Sequence, residues 1–242
     1  MTTGGTPELR RFGVVGDVHT QAGALEELLG LYAQLKLDAV LCCGDVLDGP
    51  GDPLRCIELL QGHGCVVTRG NHEQWALRGI MRAWDAPRLS DLPPAVGGWA
   101  ASLPATVQFS SPIGPVELAH GIGADDMNQL RSDSYGYGLE MNGPWQELVR
   151  SGRARMVVKG HTHHRELFCK AGITVVDGGT LLGYGPPGGV IVDLAERAYW
   201  MVEGAGTTFA SGPQTPLPAT YGPMPSSEAG LVGWPRGNPG RT

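Results

Sequence analysis

Charge is scarce in this 242-residue chain, and basic charge scarcer still: only 17% of residues are Asp, Glu, Lys or Arg, and 18 basic against 24 acidic side chains leave a net charge of −6. No basic stripe offsets that acidity, which excludes a general nucleic-acid binder. Long apolar runs are also missing. No window approaches the length needed to span a bilayer, and the polar stretch Met1 to Arg11 lacks the apolar segment of a secretory signal, so a cytoplasmic protein without membrane contact is expected. The five cysteines (Cys42, Cys43, Cys56, Cys65, Cys169) show no C-x-x-C spacing. Small apolar packing is their expected role, not metal binding or disulfide formation.

Glycine (38) and proline (19) are plentiful by contrast, which predicts generous loops. With 41% hydrophobic residues the chain can bury one substantial core. From Gly204 onward eight glycines and seven prolines fall in the last 39 residues, a composition poorly suited to a core of its own. The expected organisation is an N-terminal extension over 1–10, one domain over 11–203 and a solvated tail over 204–242.

Within the domain, five apolar runs end directly before a side chain that binds metals. Phe12 to Val15 precedes Asp17 and His19; Ala39 to Cys43 precedes Asp45; Cys65 to Val67 precedes Asn71; Val116 to Ala119 precedes His120; Met156 to Val158 precedes His161 and His163. In four of the five a glycine stands immediately before the ligand: Gly16, Gly44, Gly70 and Gly160. Buried strands that end in oxygen or imidazole donors, with glycines letting the backbone come close to an ion, place ligands along one rim of an α/β sheet. A lone histidine or an isolated Gly-Asp is more often an ordinary core residue or a turn, so the repetition carries the argument. Seven donors exceed what one tetrahedral zinc site uses. Two divalent ions about 3.5–4 Å apart, bridged by Asp45, account for them better.

The blocks GDVH (Gly16 to His19), GDVLD (Gly44 to Asp48), GNHE (Gly70 to Glu73), AHG (Ala119 to Gly121) and GHTHH (Gly160 to His164) occur in that order. Together they resemble the calcineurin-like metallophosphoesterase superfamily over roughly Phe12 to Glu203, closest to its small bacterial and archaeal phosphoesterases. The resemblance implies a four-layer α-β-β-α sandwich of two mixed sheets flanked by helices, with the metal site at the C-terminal rim of the strands. It implies Asp17, His19, Asp45 and His163 around one ion, and Asp45, Asn71, His120 and His161 around the other. His72 becomes the catalytic imidazole, and Asp48 is expected to hold it in orientation. Two cations polarise phosphoryl oxygens and lower the pKa of a bridging water, giving hydroxide for in-line attack, while His72 protonates the leaving oxygen.

The donor set, mixed oxygen and imidazole without thiolate, suits manganese first, with iron, zinc, nickel or cobalt also able to use it. The expected substrate is a phosphate ester, a nucleotide among the candidates. Two departures bear on which: Thr20 stands where serine/threonine protein phosphatases and dinucleoside tetraphosphate hydrolases carry glycine, and Gly49-Pro50 replaces their Arg-Gly. Without that arginine fork a dianionic monoester loses a bidentate partner. Arg69, Arg78 and Arg165 are candidates to replace it, and a phosphodiester or small-molecule phosphoester is the favoured substrate. Non-catalytic scaffolds of this fold lose the imidazole beside the asparagine, and His72 is present.

Between these blocks, apolar spacing predicts helices over Gln21 to Leu35, from Asp52 and Pro53 onward, and over Glu73 to Trp84, with the aromatic stripe of the last facing the core. Trp99 and Trp145 are given the same core role. Strands over Ile173–Val176, Val190–Leu194 and Arg197–Val202 are expected to complete a second sheet. The segment Gly123 to Gly143 is a candidate lid, in which Asp125 and Asp126 read as a cap or loop acids more readily than as ligands.

Overall fold

The computed structural model describes residues 8–183, 185–205 and 208–219. Its first half is built of crossover units. Strand β1 (Arg11–Val15) feeds helix α1 (Ala22–Ala33), β2 (Ala39–Cys42) feeds α2 (Pro53–Gly62), and β3 (Val66–Val67) feeds α3 (Asn71–Leu77). Helix α2 starts as its sequence dictates: Asp52 accepts a hydrogen bond from the amide of Arg55, and Pro53 fills the first turn, where no donor is needed. A 3-10 turn (Leu89–Asp91) and α4 (Pro94–Ser102) lead to β4 (Thr106–Phe109) and β5 (Val116–Ala119), then to α5 (Gly136–Glu140) and α6 (Gly143–Ser151). Strands β6 (Met156–Lys159), β7 (Arg165–Lys170), β8 (Ile173–Gly178), β9 (Gly188–Asp193), β10 (Ala198–Ala205), β11 (Thr208–Ser211) and β12 (Thr215–Pro216) complete the chain order.

Two mixed sheets result. The first runs β11-β10-β9-β1-β2-β3, with β12 also paired to β10; the second runs β4-β5-β6-β8-β7. Strands β1, β2 and β3 are mutually parallel, as are β5, β6 and β8. Alternation along the strands sorts their residues into three apolar layers. Phe12, Val14, Leu41 and Cys43 from the first sheet meet Val116, Leu118, Met156, Val158 and Val176 from the second. The opposite faces present Val15, Cys42 and Ile191 to α1, α2 and α4, and Val157, Ile173 and Val175 to α6. Helix, sheet, sheet, helix is the four-layer order expected. Period-two geometry also settles the cysteines: Cys42, the last residue of β2, and Cys43, directly after it, pack into opposite apolar layers, both are buried, and all five thiols are free.

Three sequence expectations need correction. Of the strands predicted to complete a second sheet, only β8 does so, parallel to β6; β9 and β10 return to the first sheet, where β9 is antiparallel to β1. Val190 and Val192 on one face and Ile191 on the other fit both sides of that position. The helix predicted to reach Trp84 stops at Leu77. Gly79, at φ 76°, ends it, and the amides of Arg82 and Ala83 turn to the Asp48 carboxylate. Its stripe therefore does not face the core as a whole: Trp84 is 95% exposed and Ile80 is also exposed. Finally, the first sheet extends past residue 203. Thr208, Phe209 and Thr215, good strand formers within the Gly/Pro-rich segment, add β11 and β12, and Phe209 is buried. Residues 1–7 of the expected extension and 220–242 of the expected tail lie outside the described residues.

Trp145 behaves as expected, packed at 1% exposure in the layer under α6, and Trp99 lies half-buried against the α1–α2 layer. Replacing Trp145 by Ala is expected to destabilise the protein by about 3–5 kcal/mol, the usual cost of emptying a large aromatic site. Trp84→Ala should shift stability by no more than about 0.5 kcal/mol, as surface changes do. Urea unfolding of both variants checks the pair.

Candidate metal centre

The parallel strands of both sheets end at one rim, and there the seven predicted donors meet. Asp17, His19 and His163 form one group, and Asp45, His120 and His161 another. A third, His19, Asp45 and His72, overlaps both; within each group the donor atoms lie within 4.8 Å of one another. Asn71 completes the second group, its Oδ1 lying 2.8 Å from His120 Nε2 and 2.9 Å from His161 Nδ1.

Protons can be placed on some of these rings from their partners, because a backbone carbonyl only accepts. His120 Nδ1 lies 2.7 Å from the Cys43 carbonyl and therefore carries hydrogen, so Nε2 is the nitrogen that holds a proton in the metal-free site or, in the neutral ring, offers a lone pair to a metal. That lone pair faces Asn71 Oδ1 and, at 3.2 Å, Asp45 Oδ2. His19 repeats the arrangement. Its Nδ1 lies 3.0 Å from the Asp48 carbonyl, and its Nε2 lies 3.2 Å from His163 Nε2, which in turn is 3.0 Å from Asp17 Oδ2. Lone pairs aimed at one another at such distances repel unless positive charge sits among them. These residues thus fit divalent cations, and the carbonyls that fix the imidazoles are the usual outer partners of histidine ligands.

The carboxylates' demand for positive charge also shows in the protonation equilibria. Burial lowers the pKa of His120, but the charge and hydrogen bond of Asp45, with Asp17 behind them, outweigh it and push the value up to about 10. Burial would raise the pKa of Asp45, but the surrounding imidazoles, His120 foremost, hold it well below the ordinary carboxylate range. His163 is raised by Asp17 against the effect of burial, whereas burial lowers His19.

The loops carrying the donors are tied to one another through their backbones. The Asp45 carbonyl accepts from the amides of Val18 (3.0 Å) and His19 (2.8 Å), and Asp45 Oδ1 accepts from the amide of His72 (2.9 Å). Both oxygens of Asp17 lie 3.0 Å from the amide of His161. Among the described residues eight other than glycine have positive φ, and six stand here: His19, Thr20, Asp45, Asp48, His161 and His163. Such backbone is costly and persists where surrounding bonds over-determine it.

The glycines before the ligands act mainly through close approach. Only Gly44 of the four has a positive φ. A Cβ on Gly70 would meet Asp45 Oδ1 at 2.1 Å, and one on Gly160 would meet Asp17 Oδ1 at 2.2 Å. Each of these glycines makes room for the carboxylate of a neighbouring loop.

His72 stands beside the donors, 3.8 Å from Asp45 Oδ2, with Nδ1 2.6 Å from Asp48 Oδ2. Burial lowers its pKa, but that hydrogen bond and the Asp45 charge more than compensate, so it lies above the ordinary imidazole value. Trp75 packs edge-on against it, 4.7 Å between ring centroids, and the Arg82 guanidinium lies 5.1 Å from the Trp75 ring. Of the arginines singled out from sequence, Arg165 is engaged by Glu203 and the Pro186 carbonyl, and Arg78 is exposed. Asp125 turns into its own loop, accepting from the Met127 amide and the Asn128 side chain.

Sequence reasoning overlooked Glu73. Fully buried, its carboxylate accepts from the amides of Asp45 (2.9 Å), Val46 (2.7 Å), Leu47 (2.9 Å) and Gly70 (2.8 Å), so it joins the loops after β2 and β3. A clue was its place at the third position of α3, where an acid reaches back to the amide before the helix.

Comparison with known proteins agrees with the geometry. A 64-residue stretch is 28% identical to an uncharacterized protein of Methanocaldococcus jannaschii and spans only 26% of either chain. The fold is similar to that of a hypothetical protein from Pyrococcus horikoshii OT3, with a TM-score of 0.62 at 14% identity over 80% of this chain and 87% of that one. It also resembles a structure described as a novel archaeal phosphodiesterase, with a TM-score of 0.52 at 16% identity over 80% of this chain and 99% of that one. Residues 10–165, which include every donor at the rim, match the calcineurin-like phosphoesterases, and the chain belongs to that family.

Proposed function

We propose that the protein hydrolyses phosphate esters with two divalent cations. Asp17, His19, Asp45 and His163 hold one, Asp45, Asn71, His120 and His161 the other, and manganese is the first choice. The convergence of lone pairs from Asp45, Asn71 and His120 on one point carries this reading. Cations held there supply charge that polarises phosphoryl oxygens and lowers the pKa of water.

His72 is the protein's own acid. Asp48 accepts its Nδ1 hydrogen, which leaves Nε2 to face the substrate, and the same carboxylate favours the protonated ring that can give its proton to the leaving oxygen. The amides of Arg82 and Ala83 hold Asp48 in turn. A catalytic histidine locked by a buried carboxylate favours an enzyme over a scaffold.

A phosphodiester or small-molecule phosphoester is the substrate this reading favours. The two departures noted in the sequence are coupled: Thr20 adopts φ 60°, its hydroxyl accepts from the Gly51 amide at 2.7 Å, and a Cβ on Gly49 would meet Thr20 Oγ1 at 2.5 Å and the His19 carbonyl at 2.2 Å. An arginine at position 49 has no room beside Thr20. Arg165 is already engaged, so a dianionic monoester lacks a free fork from either residue. A diester, with one charge fewer, needs it less. Five free cysteines fit the reducing cytoplasm.

With manganese added, bis-p-nitrophenyl phosphate is expected to turn over faster than p-nitrophenyl phosphate. Turnover of neither by protein carrying two ions would overturn the enzymatic reading. His72→Ala should slow hydrolysis by roughly 10²–10⁴-fold, the span of a general acid, with metal content unchanged by elemental analysis. Asp45→Asn should lose metal. Glu73→Gln leaves a single acceptor oxygen for four amides, and is expected to lower stability by about 1–3 kcal/mol in urea unfolding, with weaker manganese uptake.

A further inference from the structure

Lys159 and Asp177 are both fully buried, cross-strand neighbours at the ends of β6 and β8, and the chemistry above uses neither. Lys159 Nζ donates to Asp177 Oδ2 and, at 2.9 Å, to the Gly160 carbonyl. The same carboxylate accepts two further bonds: from Thr162 Oγ1 at 2.8 Å and from the Gly179 amide at 3.0 Å. Each leads to metal donors. Thr162 lies between His161 and His163, both held at positive φ. The Gly179 carbonyl accepts from the Asp17 amide at 2.9 Å, while Thr180 Oγ1 and the Leu181 amide donate to the Asp17 carbonyl at 2.9 and 2.8 Å.

We propose that the Lys159–Asp177 pair is a positioning element that sets the Asp17, His161 and His163 donors through Thr162 and Gly179. Stability alone is a weak reason for such a pair, since well-packed apolar residues in place of a buried ion pair are often neutral or stabilising. An apolar substitute here would leave the Thr162 hydroxyl and the Gly179 amide without their acceptor. Asp177 also cancels a lysine charge that would otherwise repel cations from beneath Gly160. The strand-end pattern thus recurs a sixth time, as Asp177 with Gly178 and Gly179 directly after it, and the carboxylate is directed at the neighbouring loop.

This inference rests on the two-ion reading, and titration of the metal-free, full-length protein with Mn2+ by calorimetry separates the two. Wild-type protein should bind two ions. Thr162→Val, which removes only the hydroxyl, is expected to weaken one of them about 10–100-fold, as loss of an outer partner of a metal ligand does, and Thr162→Ser should restore wild-type affinity. The double variant Lys159→Met/Asp177→Leu should weaken the same ion at least as much; should it fail to fold, the two Thr162 variants decide. Wild-type affinity for both ions in Thr162→Val, with only the melting temperature of the metal-free protein lowered, would mean a purely structural bond and overturn the proposal. Fewer than two ions on the wild type overturns the two-ion reading itself.

Discussion

The loop after β2 holds the metal centre together, and Asp45 is its pivot. The Asp45 carbonyl receives the amides of Val18 and His19, its carboxylate receives the amide of His72, and its own amide is received by Glu73. One residue thereby fixes the loops after β1 and β3 while presenting Oδ2 to His19, His72 and His120. A displacement of a few tenths of an ångström at Asp45 would move donors on several strands together. That is why a glycine must stand at position 70, where any side chain would occupy the space of the Asp45 carboxylate.

Such fixation is needed because the donors do not sit in relaxed backbone. Left-handed conformations at His19, Asp45, His161 and His163 are unfavourable for residues with a Cβ, and strand geometry alone cannot supply them. Glu73 accepts the amides of Asp45, Val46 and Leu47 and Asp177 the Thr162 hydroxyl and the Gly179 amide, while Asp48 orients His72 and takes the amides of Arg82 and Ala83. Ligand carboxylates therefore rest on a second tier of carboxylates that face protein. In a dry interior, such acceptors persist only when fully hydrogen-bonded.

This two-tier arrangement explains what could and could not be read from sequence. The convergence of the donors was legible because parallel strands must end at one rim, so an apolar run leading into a donor is a local signal repeated once per strand. The helices after β1 and β2 were legible by periodicity, whereas the two-sheet sandwich came from the family resemblance. The role of Glu73 was not legible, because three of its four partners are backbone amides 26–28 residues away in the chain, and amides leave no mark on composition. The return of β9 to the first sheet was hidden as well. Strands buried on both faces carry apolar residues throughout, so their pattern does not name a neighbour. The end of α3 was misjudged for a third reason: apolar spacing continues to Trp84, but Asp48 captures the amides of Arg82 and Ala83.

Charge gives the site its direction of attraction. The proposed ligand set contributes two formal negative charges, from Asp17 and Asp45, against four positive charges on two divalent ions, so the loaded rim is positive on a chain whose net charge is −6. With both ions held, anions would be drawn to that rim rather than to a basic surface around it. The Lys159 charge lies behind the rim and is cancelled by Asp177, so it adds nothing to that field at the mouth. Arg82, stacked over the Trp75 ring that packs against His72, is a basic side chain on that side of the rim.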